Sequence, residues 1–198
     1  MGENKDSMAI EILKTGNQSF VENIASDRVL QTQVKKTSLG QTPFAAVLSC
    51  IDSRVPVETV FGLGVGDIFS FRAAGNFVDK KPIENNNILG SLEFATDSGV
   101  QLILVLGHTG CGAIKAAIGE PNPKWPLSLG IMVKRLRSNI TKSSKVITDS
   151  DKAIKENVVN TIKYISKHSA FIKEKEKENK IEIRGGVYNI ATGEVKFI

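Results

Sequence analysis

The chain has 198 residues, 41% hydrophobic and 24% charged, which is enough to bury one substantial α/β core and ordinary for a soluble globular protein. Its net charge of +5 makes no nucleic-acid surface: the densest charge run, Lys173-Glu174-Lys175-Glu176-Lys177-Glu178, alternates in sign, and the 6% of aromatics do not interleave with basic residues. No apolar run approaches the roughly 18 residues of a membrane span, and the polar opening Met1-Gly2-Glu3-Asn4-Lys5-Asp6 carries no signal or myristoylation pattern, so a soluble, cytoplasmic protein without nucleic-acid or membrane partners is expected.

Residues 8–24 predict an amphipathic helix, with Ile10, Ile12, Leu13, Phe20, Val21 and Ile24 at a partly helical period. A polar connection leads to Pro43 and the apolar run Phe44-Ala45-Ala46-Val47-Leu48, short enough for a buried strand. Cys50-Ile51-Asp52-Ser53-Arg54 follows that strand at once. A short helical stretch around 57–61 comes next, then Gly62, Gly64 and Gly66, then a second strand, Ile68-Phe69-Ser70-Phe71. The glycines precede a strand instead of leading from one into a helix, so they read as turns and not as a dinucleotide fingerprint.

Residues 85–98 predict a helix with Ile88, Leu89, Leu92 and Ala95 on one face. The third strand, Leu102-Ile103-Leu104-Val105-Leu106, is the clearest in the chain, and His108-Thr109-Gly110-Cys111-Gly112 lies just beyond it. Residues 113–118 continue as a helix. A proline-rich stretch, 121–126, holds the single tryptophan, Trp125, as a packing anchor. Further helices are expected at roughly 127–139 and 151–172; in the second, Ile154, Val158, Val159, Ile162 and Ile165 recur at helical spacing, and His168 reads as a solvated helix residue. Two short strands around 181–183 and 195–198, with Thr192-Gly193 between them, close the chain. Strands alternating with helices imply a parallel sheet with right-handed crossovers. Ligands of such sheets sit beyond the carboxyl ends of strands where the strand order reverses, and both short motifs stand at such ends.

Cys50 and Cys111 are the only cysteines, and His108 is one of only two histidines. Two cysteines 61 residues apart are equally read as buried thiols, or as a disulfide that a cytoplasmic setting disfavours. His108 three residues before Cys111, in a glycine-rich turn that opens a helix, shifts the balance to a zinc site. A Cys/His/Cys set leaves one tetrahedral position unfilled, the catalytic rather than the structural pattern. Asp52 and Arg54 form either a surface ion pair of little energy or a functional pair. In the functional case Arg54 keeps Asp52 ionised and oriented toward a hydroxide on the zinc. With that pairing broken, Asp52 takes the fourth position itself.

The chain resembles the β-class carbonic anhydrases along most of its length. Cys50-Ile51-Asp52-Ser53-Arg54-Val55-Pro56 is similar to that family's first signature and Gly107-His108-Thr109-Gly110-Cys111-Gly112-Ala113 to its second. Gly66-Asp67-Ile68-Phe69, Arg72-Ala73-Ala74-Gly75-Asn76, Gly90-Ser91-Leu92-Glu93-Phe94-Ala95 and the tail 186–195 also match, in the right order. Together with the element order, the resemblance implies an α/β fold: a mostly parallel central sheet of order 2-1-3-4 with an antiparallel C-terminal edge strand, flanked by helices. It implies a single domain, with residues 1–40 as an N-terminal helical arm and 41–198 as the core.

The implied activity is reversible hydration of carbon dioxide to bicarbonate and a proton. One Zn2+ per chain is held by Cys50, His108 and Cys111, with the Asp52–Arg54 pair beside it. Gln41, nine residues before Cys50, matches a bicarbonate-binding position, Phe69 an apolar wall of the carbon dioxide pocket, and Gly112 a further substrate-binding position. Phe94 departs from the tyrosine of many members. A homodimer or homotetramer is implied, with the site near the subunit interface and N-terminal helices reaching over the partner. Two thiolates cancel the formal charge of the metal, so activity is expected to rise with pH above neutrality. The alternatives are a hydrolase of carbonyl sulfide or carbon disulfide on the same scaffold, and an inactive zinc or binding module.

Overall fold

A five-stranded sheet of order β2-β1-β3-β4-β5 organises the computed structural model, which describes residues 7–24, 30–79, 86–141 and 147–198. The polar opening 1–6 and residue 85 of an expected helix lie outside the described residues. Strands β1 (Ala45–Ser49), β2 (Ile68–Arg72), β3 (Leu102–His108) and β4 (Glu182–Tyr188) are parallel, and β5 (Val195–Phe197) runs antiparallel to β4 at the edge.

Every residue of β1 and β3 is buried, as in a strand covered on both faces. Successive side chains point to opposite faces, which sorts the core into two layers. On one face Ala45, Val47, Leu102, Leu104 and Leu106 meet Ile10 and Leu13 of α1 (Met8–Val21) and Val57 and Val60 of α3 (Val57–Val60). On the other, Ala46, Leu48, Ile103 and Val105 meet Leu89 and Leu92 of α4 (Asn87–Asp97), Val158 and Ile165 of α7 (Ser150–His168) and Ile172 of α8 (Ala170–Lys177). A third cluster joins Cys50 and Cys111 to Ile114 of α5 (Gly112–Ile118), Leu136 of α6 (Leu127–Ile140) and Ile154 of α7, with Trp125 packed at its border.

Helix α1 is fastened by polar contacts as well as apolar ones. Its buried Asn17 donates to Val60 O (3.1 Å) and Gly193 O (2.8 Å) and accepts from Val195 N–H (2.8 Å). Gly16 lies so close to Phe61 O that a Cβ would stand 1.9 Å away.

Three elements differ from the sequence expectation, the first being β4, which runs on to Tyr188 past the short strand expected around 181–183. The polar connection before β1 contains a helix, α2 (Leu30–Thr37), with no buried residue. The helix expected over 151–172 is broken at Ser169, where φ −107° and ψ 105° leave the helical region. Ser169 Oγ accepts from Ile172 N–H (3.1 Å), so one residue ends α7 and caps α8. Among the described residues, no helix is long and apolar enough to cross a membrane.

Strand order reverses between β1 and β3, because β1 connects to β2 on one side and β3 lies on the other. Ser49 is level with Leu106 on β3 and with Arg72 on β2. The chain therefore leaves β1 beside the last two residues of β3, Gly107 and His108, at the sheet's carboxyl edge.

Candidate metal centre

Cys50 follows the last residue of β1, His108 ends β3, and Cys111 opens α5 three residues later. Their potential ligand atoms all lie within 4.8 Å of one another, and all three residues are buried. The two sulfurs are 4.0 Å apart and both cysteines are free thiols. His108 Nδ1 bonds Thr109 O at 3.0 Å, while Nε2 is buried and has no hydrogen-bond partner among the described residues. A buried imidazole with one nitrogen fixed by a backbone carbonyl and the other left bare beside two sulfurs fits a tetrahedral N/S-binding cation. A bare buried nitrogen is otherwise costly, since its water was removed without replacement.

The thiols are electrostatically unequal. Cys50 is lowered, chiefly because the Cys111 thiol donates to it, with help from the N–H groups of Gly75 and Asp52 against the cost of burial. Cys111 is pushed up, because the neighbouring Cys50 favours its protonated form and burial adds to the effect. Cation binding there displaces the protons that the thiols carry.

Asp52 lies just outside this cluster, with Oδ2 3.9 Å from His108 Nε2. Arg54 grips it in bidentate fashion: Nε donates to Oδ1 (2.9 Å), Nη2 to Oδ2 (2.7 Å), and the backbone N–H of Arg54 also donates to Oδ1 (3.0 Å). These donors hold the carboxyl well below the usual carboxylate range. Arg72, at the end of β2, donates from Nε to Cys50 O (3.0 Å) and from Nη2 to Asp52 O (2.5 Å). Its guanidinium spans the turn that carries both residues.

The other residues singled out in the sequence are placed differently. Gly112 adjoins Cys111 and borders open space, with nothing within 4 Å of where a Cβ would stand. Gln41 is exposed, four residues before the start of β1, and β1 alone separates it from Cys50 by roughly 15 Å. The chain before β1 continues along the amino edge of the sheet, where Phe44 N–H bonds Asp67 O. Phe69 is level with Ala46 and packs in that layer, with ring centroids 6.4 Å from Phe71 and 6.3 Å from Phe94. Within one chain, then, Cys50, Asp52, Arg54, His108, Cys111 and Gly112 come together, and Gln41 and Phe69 do not join them. His168 ends α7 with its ring stacked on Tyr164 at 4.2 Å. Arg72 and Gly75, whose N–H donates to Cys50 Sγ (3.4 Å), touch the site although only the family motif around them marked them beforehand.

The fold is a switch-point α/β sheet whose carboxyl edge carries a buried Cys/His/Cys cluster and an adjacent Asp–Arg pair. A family profile described as carbonic anhydrase matches residues 45–195. The chain is 32% identical over 195 residues to a carbonic anhydrase of Mycolicibacterium smegmatis, covering 95% of this chain and 91% of that protein. It is 40% identical over 117 residues to carbonic anhydrase 2 of Mycobacterium tuberculosis, a match covering 58% of this chain and about half, 53%, of that relative. The fold superposes on the Coccomyxa β-carbonic anhydrase solved with acetazolamide with a TM-score of 0.74 and 25% identity, covering 99% of this chain and 87% of that one. The chain belongs to the β-class carbonic anhydrase family.

Proposed function

We propose that the chain is a zinc-dependent carbonic anhydrase, reversibly hydrating carbon dioxide to bicarbonate and a proton. The observation that carries this reading is the bare, fully buried Nε2 of His108 beside two free thiols, with an ionised carboxylate 3.9 Å away. Cys50, His108 and Cys111 would hold the metal and leave one tetrahedral position open. Zinc bound there supplies the Lewis acidity that makes water nucleophilic near neutral pH.

The remaining work falls to the chain's own residues. Asp52, kept ionised by Arg54, accepts a hydrogen bond from the attacking water and so turns a lone pair toward the carbon of the substrate. Arg54 also engages both oxygens of the carboxylate. The open space at Gly112 supports its role as the side from which substrate approaches Cys111. Two thiolate ligands offset the charge of a divalent cation, so activity rises with pH above neutrality.

The assembly is proposed to be a homodimer or a larger homo-oligomer. In support, Phe94 is 66% exposed and its ring meets Phe69 of the edge strand β2. Gln41 and Phe69 are substrate-binding residues only if a second copy brings them to the cluster, since their own chain holds them away. The test of the mechanism is Asp52→Asn: turnover in stopped-flow carbon dioxide hydration should fall about 100-fold or more, while zinc stays at one per chain. Undiminished turnover would remove Asp52 from the mechanism.

A further inference from the structure

We propose that Asn157, on α7, is a positioning residue for the Cys50 thiolate and acts through the backbone of Gly75; the proposal rests on the zinc reading of Cys50, His108 and Cys111. The Gly75 N–H donates to Cys50 Sγ at 3.4 Å in a buried setting. Such a bond is useful only if the Gly75 main chain is held in one orientation. Gly75 has φ +76°, which L side chains rarely adopt, and a Cβ there would stand 2.6 Å from Leu136 Cδ2. Glycine permits this conformation without enforcing it. Asn157 enforces it: its Nδ2 donates to Gly75 O at 2.7 Å, across 82 residues of sequence.

The orientation of the Asn157 amide is settled by chemistry on both ends. Gly75 O needs a donor, and Asn157 Oδ1 accepts from Asn139 Nδ2 at 2.8 Å. Asn139 is itself anchored, because its backbone carbonyl accepts from Asn160 Nδ2 at 2.9 Å. Donors therefore run in one direction, from Asn139 on α6 to Asn157 on α7, then to Gly75, whose own N–H meets the sulfur. All three asparagines are buried, Asn157 completely. Groups that orient a metal ligand from outside the coordination sphere contribute about 10–100-fold to metal affinity. Asn157 occupies such a place for Cys50.

The test measures zinc affinity by competition with a chromophoric chelator, together with the thiolate-to-metal absorption band of the cobalt(II)-loaded protein. Asn157→Ala should bind zinc about tenfold or more weakly than the parent and shift the cobalt band. Asn157→Leu keeps the approximate volume and offers no donor to Gly75 O; it should lose affinity likewise, and it carries the test if the alanine variant does not fold. Asn139→Ala removes a buried bond from the same layer and leaves the Asn157–Gly75 bond; it should lower thermal stability with little change in affinity or band. The proposal is overturned if the Asn157 variants match the parent in both readouts, or if Asn139→Ala loses as much affinity as Asn157→Ala. A parent chain that binds no zinc would overturn the metal reading and this proposal with it.

Discussion

Asp52 shows how one contact fixes a charge state. Its carboxyl lies below the ordinary carboxylate value chiefly because the Arg54 side chain donates to it. A depressed folded-state value means that the pairing stabilises the fold above the unfolded value near 3.9, and that this stabilisation fades as pH falls through the folded one. Arg54→Ala should therefore lower Tm by an amount that is constant from pH 9 to about 5 and shrinks below about pH 4. A gap that already closes near pH 7 would contradict the pairing. At this scale the sequence is most legible where residue types are scarce. Two cysteines and two histidines in 198 residues make their clustering visible. Arg72 and Asn157 are not legible in that way, because arginine and asparagine are common and these make their contacts across 20 to 82 residues.

Secondary elements were legible where burial imposes a period. The strands β1 and β3 stand out because both faces are covered and each is an apolar run up to its carboxyl end. Helix α2 has only Leu30 and Val34, one turn apart and both exposed, to reveal it: it buries nothing, and Gln33 Oε1 ties it to Val65 N–H at 3.1 Å. The break between α7 and α8 was hidden for the opposite reason, since buried Ile165 and Ile172 lie on either side and continue the apolar pattern through it. Ser169 makes the break by capping Ile172 N–H and donating to Glu93 Oε1 at 2.6 Å. Ser169→Ala should cost about 1–2 kcal/mol in urea unfolding, the value of a lost helix cap. Unchanged stability would mean that packing alone sets the break.

For the whole molecule, the parallel register decides what meets what. Because Ser49 is level with Leu106, Cys50 emerges beside His108, and the turn into α5 returns Cys111 to the same place. The same geometry puts β1 between Gln41 and Cys50, a separation already implicit in the strand expected over 44–48. If a second copy covers Phe94, Phe94→Asp should lower the sedimentation coefficient while zinc content is kept. A parent and variant that sediment alike would place the interface elsewhere.

The central claim is that Cys50, His108 and Cys111 hold a zinc ion that supports carbon dioxide hydration. Stopped-flow hydration at pH 8.5, with zinc per chain measured on the same sample, tests it most directly. The account predicts rapid turnover with one zinc per chain, both lost together in Cys111→Ala. Turnover that persists in that variant, or a parent chain that binds no zinc, would contradict it.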